Sequence, residues 1–328
     1  MAVLTQRVGH SYDTPNWTVA TIVKNPAMLS QLVLPAVKDN LIAEQMLRPG
    51  PRAVGGSVQY SEQIVFSSIR TSEIIAEFGE IPTTQAEIGL PVVAATQKRG
   101  IGVKVSKEME TRNDIGRVME EVRLAREQLI RDWNTLFYQA VYRNPNILTM
   151  TASNAAGGGW LTDVVPAAGI TPTAGIRKDI ANAKYLMSNQ QIQGARDNDR
   201  YGFVPDTMVM HPSIAPEWLD SEEVNKVYDN SPATTLSPRY TMKMDKQFAG
   251  LDIVLSWEIL PDHVMICKRK SMGFISDEWP LSGSPTQYTE REQTYATYFT
   301  RRALVGIDNP KAVVLINGVD GNPTAAVP

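Results

Sequence analysis

The sequence predicts an α+β fold built on one long helix, with an extended β-hairpin before the helix and an α/β region inserted between it and the last strands. Three observations carry that prediction. Ile101, Val103 and Val105 alternate with Gly102, Lys104 and Ser106, a period of two that asks for one buried face. The period then changes: Ile115, Val118, Met119, Val122, Leu129, Trp133, Leu136, Phe137, Ala140 and Val141 recur at spacings of three and four, which makes a single apolar stripe. A helix over 114–142 is roughly 42 Å long at about 1.5 Å per residue, longer than most domain helices. Finally, Asn144-Pro145 and Gly157-Gly158-Gly159 mark a change of region.

Residues 1–56 read as an N-terminal arm and linker with little core of its own. It holds one short helix, capped by Asn25, with Pro26 in its first turn and Met28, Leu29 and Leu32 before a stop at Pro35. Arg48-Pro49-Gly50-Pro51 and Gly55-Gly56 punctuate the chain. Ser57–Phe66 alternates, with Val58, Tyr60, Ile64 and Phe66 on one side, as a strand does. Between Phe66 and Val92 there is little periodicity, and Glu73, Glu77, Glu80 and Glu87 stand against Arg70 alone. A structureless loop of that length is unusual in a compact domain. The simpler solution is an extended hairpin over 57–106, with 57–66 paired to 92–105 and a tip that leaves the body and needs another surface to lie on.

Residues 151–285 read as one α/β region. A helix begins at Thr173 with Ile176, Ile180, Ala183 and Met187 on one face, and Thr207–Met210 is a buried strand. His211-Pro212-Ser213 ends that strand and starts a short helix carrying Trp218 and Leu219. The Pro-, Ser- and Thr-rich stretch 229–247 reads as an exposed loop, and strands return at 251–257 and 263–267. Thr294–Arg302 alternates, Asp308-Asn309-Pro310 turns, and Ala312–Ile316 resumes, which reads as a hairpin packed on the stripe of the long helix. Residues 107–150 and 286–328 then form one domain, with 151–285 inserted between its halves.

Composition excludes several function classes. The 328 residues are long enough to bury a core, and 43% hydrophobic with 20% charged residues is ordinary for a globular protein. With 32 basic and 35 acidic side chains the formal charge is −3, so no global positive field draws nucleic acid or anionic lipid. No run of 18 apolar residues and no signal-peptide core is present, so no membrane partner is expected. The single cysteine, Cys267, sits in an apolar run and reads as a buried small hydrophobe. His10, His211 and His263 lack paired ligands at metal spacing, and Asp197-Asn198-Asp199 lacks the rest of a calcium loop. The glycine run at 157–159 is not followed by the Lys-Ser or Lys-Thr of a phosphate loop. No catalytic, cofactor or metal residue emerges; the enzyme alternative is a hydrolase with a dispersed site in 151–285.

The order of an acidic segment (FGEIPTTQAEIG), a strand (KRGIGVKVSKE) and a long helix (NDIGRVMEEVRLAREQLIRDWNTLFYQAVYR) resembles the E-loop and spine helix of tailed-phage major capsid proteins, the HK97-like fold. The resemblance covers most of the chain. It implies a peripheral domain made of the spine helix and C-terminal strands, an inserted axial domain, and a structural protein that self-assembles through pentamers and hexamers into an icosahedral shell enclosing phage double-stranded DNA. It further implies a virion protein assembled in the bacterial host cytoplasm, with a portal protein, a separate scaffolding protein, a decoration protein and non-specifically contacted DNA as partners. An encapsulin-like compartment shell shares the fold and is the alternative. Residues 67–91 carry a net charge of −3, Arg70 against four glutamates, so tight docking on a neighbour asks for a basic receiver. The candidate contacts are Arg70, Glu73, Glu77 and Glu80 on the arm and Arg117, Arg123, Arg126, Arg291, Arg301 and Arg302 as receivers. The helix also carries Glu120, Glu121, Glu127 and Asp132, so its arginines serve equally well as partners for their own helix. Two departures from some relatives stand out. No lysine occurs between Arg52 and Gln97, which predicts a shell without covalent cross-links. The first hairpin strand begins near Ser57, which leaves little room for a fused scaffolding segment.

Overall fold

A computed structural model describes residues 18–62, 91–154, 158–161, 175–191, 200–221, 224 and 247–320. The chain divides into two compact units. One runs up to Asn40 and includes Gln97–Ile130 and Trp279–Arg302; the other comprises Leu41–Thr96, Arg131–Glu278 and the chain from Ala303 onward.

In the first unit, α1 (Val19–Lys24) is capped by Thr18, and α2 (Pro26–Asn40) follows. The sequence predicts a stop at Pro35, yet α2 continues through it. Leu29, Val33 and Val37 are buried while Pro35 and Gln31 are exposed, so the carbonyl that a proline cannot bond faces the solvent side, where the break costs least. The chain then passes through α3 (Ile42–Met46), β1 (Arg48–Pro49), β2 (Ser57–Ser61) and β3 (Pro91–Ala95), which belong to the second unit, and re-enters the first as β4 (Gln97–Ser106). β4 shows the predicted faces, with Val103 and Val105 buried and Gly102 and Lys104 exposed. Ser106 caps α4 (Lys107–Arg112), whose left-handed C-cap Asn113 accepts a hydrogen bond from the Val19 amide at 2.8 Å. The Asp114 carboxylate then accepts from the Arg117 amide and opens α5 (Ile115–Arg143), one residue away from the predicted bounds at each end. Within this unit Val118, Val122, Ala125 and Leu129 form the buried stripe of α5.

The second unit is organised by a mixed six-stranded sheet. Its strands are β5 (Leu148–Thr151), β6 (Thr207–Met210), β7 (Gln247–Phe248), β8 (Leu251–Leu255), β9 (His263–Cys267) and β13 (Val313–Asn317), in the order β5-β13-β9-β6-β8-β7. β6, β9 and nearly all of β13 are buried on both faces. Alternate residues divide between two cores. Met208, Met210, Val264, Ile266, Val314 and Ile316 pack with α6 (Ile176–Asn189) and with Trp218 of α7 (Ala215–Asp220). Val209, Met265, Cys267, Val313 and Leu315 pack with Ile42 and Met46 of α3 and with Phe137, Tyr138 and Val141 of α5. Burial on both faces is why these strands read as unbroken apolar runs.

The remaining strands are β10 (Phe274–Gly283), β11 (Gln287–Thr289) and β12 (Thr294–Gly306), ordered β1-β10-β12-β11 with β4 also paired to β12. Two sequence expectations change here. The last two strands do not form a hairpin: β13 lies parallel to β5 and antiparallel to β9, while β12 belongs to the other sheet. The expected contact with the long helix survives through Val313 and Leu315. The strand predicted over 92–105 breaks at Thr96, whose hydroxyl donates to Glu278 at 2.7 Å and whose amide donates to the Gly56 carbonyl at 2.8 Å. This corner ends the β2–β3 ribbon and lets β4 join β12. The ribbon pairs Ser57–Ser61 with Pro91–Ala95 in antiparallel register. The remainder of the predicted hairpin, the loop at 229–247 apart from its last residue, and the Thr173 cap lie outside the described residues; Gly175 is the N-cap of α6 and makes no side-chain cap bond.

Candidate subunit contact surfaces

Arg70, Glu73, Glu77 and Glu80 lie outside the described residues. The six proposed receivers fall into four kinds of environment. Arg117 on α5 and Arg291 in the turn before β12 are exposed, Arg126 is half-buried, and among the described residues no ion pair involves any of the three. Arg123 is taken by its own helix: Nε donates to Glu120 at 3.0 Å and Nη1 to Glu127 at 2.8 Å. Those hydrogen bonds hold the Glu120 carboxyl below its ordinary value and raise the already high pKa of Arg123. Arg301 is 3% exposed, because the alternation of β12 turns odd-numbered positions 299, 301 and 303 inward. Arg302, on the opposite face of β12, places its guanidinium carbon 5.7 Å from the centre of the Trp279 ring.

Sequence reasoning missed the group around that ring. Trp279 is 49% exposed, and Lys98 Nζ lies 5.4 Å from its centre. The available signal was a tryptophan beside Glu and Pro at the open end of a strand whose start, Phe274–Ser276, is buried. The ribbon likewise leaves Val93 68% exposed, while Val58, Tyr60 and Ala94 on its other face pack onto Phe274 and Leu304. Tyr60 meets Phe274 edge to face at 5.2 Å.

The buried polar groups serve structure. Asp179 on α6 is fully buried; its carboxylate accepts from the Trp160 indole at 2.8 Å and from the Ser153 amide at 3.0 Å, so an isolated carboxylate is satisfied by two donors. His211 caps a turn, its Nδ1 accepting from the Ser213 amide at 3.1 Å, and burial lowers its pKa. His263 is buried edge to face against Tyr142. Beside it, burial and the neighbouring Asp320 carboxyl push the Asp262 carboxyl up to about 6. The Cys267 thiol, free and buried, is pushed up to about 12 by desolvation. Among the described residues no group of three or more His, Cys, Asp or Glu is placed to hold a metal ion, and no helix is long and apolar enough to cross a membrane.

The comparisons with known proteins give this geometry its context. Residues 89–316 match the family model described as phage capsid protein. The chain belongs to the phage capsid protein family. Solved structures agree on the fold. A virus-like particle from Pyrococcus furiosus is 14% identical with a TM-score of 0.53, over 89% of this chain and 98% of that one. A structure from Microbacterium phage Oxtober96 is 13% identical with a TM-score of 0.52, over 84% and 90%. The capsid of cyanophage P-SCSP1u is 13% identical with a TM-score of 0.51, over 83% and 86%. No curated protein matches the sequence. The fold is thus the HK97-like capsid fold, and by its family the chain is a structural phage capsid protein, a component of the virion, not an enzyme. That finding replaces the hydrolase alternative.

Proposed function

We propose that this capsid protein forms pentamers and hexamers that close into an icosahedral shell around packaged double-stranded DNA without covalent cross-links. The observation that carries the proposal is the capsid-family match over residues 89–316, a span containing the long helix, the five-stranded sheet apart from β1, and all but the last residue of the six-stranded sheet. Closed cages arise from repeated rotational contacts. A subunit held by several interfaces of about 800 Å² per partner needs none of them to be strong alone.

In this reading residues 1–56 are the arm, 57–106 the E-loop, 107–150 and 286–328 the peripheral domain, and 151–285 the axial domain around the five-fold and six-fold axes. The pairing of Val313–Asn317 with Leu148–Thr151 and His263–Cys267 supports moving those two flanking strands to the axial side. The E-loop overlies a neighbouring subunit, where its carboxylates Glu73, Glu77 and Glu80, tempered by Arg70, meet a basic receiver. Exposed Arg117 and Arg291 and half-buried Arg126 and Arg302 suit that role better than helix-paired Arg123 or buried Arg301. Assembly takes place in the bacterial host cytoplasm with a separate scaffolding protein and a portal, and a decoration protein and non-specific DNA contacts complete the particle.

Electron microscopy with sedimentation, on the chain alone and with its genomic neighbours, tests the proposal. Closed icosahedral particles, or pentamers and hexamers that close when a scaffold is added, support it; a persistent monomer or dimer under every condition overturns it. Boiling particles in detergent is expected to return a monomer band. The likeness to the Pyrococcus furiosus particle favours one second reading, an encapsulin-like compartment. Particles that co-purify with cargo enzymes instead of DNA select it.

A further inference from the structure

We infer that Gly318–Asp320 form a strap across the end of the six-stranded sheet, closed by one proton shared between the carboxyls of Asp262 and Asp320, and that the strap opens locally when this proton leaves. The inference concerns the single chain and does not depend on the shell reading above.

The strap is tied down along its length. After β13 the chain turns at Gly318, whose φ of 76° favours glycine. The Asp262 carboxyl accepts from the Gly318 and Asp320 amides, and the Asp262 carbonyl accepts from the Val319 amide at 3.1 Å. One residue thus holds three consecutive amides. On the other side, the Val319 carbonyl accepts from the Trp160 amide at 2.8 Å. A Cβ at Gly159 would fall 2.2 Å from that same carbonyl oxygen, so only glycine at 159 lets the two segments meet. Val319 and Trp160 are buried in one core with Ile180 and Ile266, which makes the strap part of the sheet's apolar cover.

Charge is where this fastening is vulnerable. Asp262 is 2% exposed, and its carboxyl is hydrogen-bonded to that of Asp320. An ionised carboxylate only accepts hydrogen bonds, so two carboxyls bond each other only with a proton between them. The other titratable groups that face Asp262 are His263 on β9, with Nδ1 3.8 Å from the carboxyl, and Tyr142 near the end of α5. Burial disfavours a charge on His263 and pushes the Tyr142 hydroxyl up to about 12, so neither supplies the positive charge that would keep two carboxylates together. Asp262 Oδ1, His263 Nδ1 and, across the strand pair, Asn317 Oδ1 are buried without hydrogen-bond partners. Loss of the proton therefore sets two negative charges side by side in a site that has nothing to offset them. The closed strap keeps a proton that the open strap releases between about pH 4 and pH 6, so opening rises with pH across that window and levels off above it.

Hydrogen exchange read by mass spectrometry on the full chain, at about pH 4.5 and about pH 6.5 with the intrinsic rate at each pH divided out, compares the strap amides with those of β9. Strap opening is expected to rise about tenfold or more at the higher pH while β9 stays protected. D320N should abolish that rise, because the new amide donates to the Asp262 carboxylate with no proton needed, and D262N should abolish it as well. A second readout uses V319C: the one native thiol, Cys267, is buried, so the labelling rate of the new thiol, divided by that of free cysteine at the same pH, reports the strap without background. A strap that opens equally at both pH values, or a rise that survives D320N, overturns the inference. Protection lost from β9 in parallel with the strap overturns it too, since the opening is then that of the whole sheet.

Discussion

The six-stranded sheet and the β2–β3 ribbon are both β structure in the same unit, yet they solve burial in opposite ways. In the sheet, β6 and β9 expose no residue, and alternate side chains enter two separate cores. In the ribbon, only one face finds a core, and Val93 on the other stays 68% exposed. An isolated two-stranded ribbon is marginal in water. The contrast teaches that the sheet carries its own stability, whereas the ribbon leaves an apolar residue of one face open.

The largest expected effect breaks the comparison if it fails. Ile266→Ala, at 0% exposure in the sheet, should cost about 2–5 kcal/mol in urea unfolding of the unassembled chain. Val93→Ala should change the same midpoint by less than about 0.5 kcal/mol and act on assembly instead. Equal costs at the two sites would remove the distinction. Next is Asp179→Ala, which leaves the buried Trp160 indole without its acceptor and should cost roughly 3 kcal/mol, with a shift in tryptophan emission. Asp179→Asn keeps one acceptor oxygen and should lose less.

The third prediction concerns the sheet's end, where Asp262 precedes β9. Its folded value, about 6, lies above the ordinary 3.8, so the folded chain binds the extra proton between those limits. This group's contribution is therefore fully present below about pH 4 and is lost as pH rises through 6, by at most about 3 kcal/mol. Asp262→Asn should remove that slope and raise stability at pH 7 relative to the parent chain. His263, whose pKa is lowered by burial, contributes with the opposite sign, so the difference between the two pH profiles is the quantity to read. A profile identical to the parent's would show that Asp262 ionises freely. The smallest effect is Arg123→Ala: its pairs are exposed and local to one helix, and no shift in the unfolding midpoint is expected.

What the sequence made legible follows from how local each signal is. The long helix was readable to within a residue at each end because its stripe repeats over eight turns and each repeat reinforces the phase. Thr207–Met210 and His263–Cys267 were readable as compact apolar runs. The partner of Val313–Asn317 was not, because pairing across more than 160 residues leaves no periodic trace, although the unbroken Val-Val-Leu-Ile already signalled two buried faces. Pro35 misled because a proline's cost depends on which side of the helix it faces. At the candidate contacts, counting arginines found Arg302 but could not separate it from buried Arg301 one position away. Trp279 and Lys98 escaped because the three strands that bring that face together are brought there by long-range pairing.

One consequence of the strand order concerns synthesis. Among the described strands, Val313–Asn317 is the last to leave the ribosome, yet it lies inside its sheet, between Leu148–Thr151 and His263–Cys267. A chain terminated before it leaves the inner edges of both neighbours without a partner and both cores open along one line. A product truncated before that strand is thus screened out by its own failure to fold before it can be built into a shell as a defective subunit.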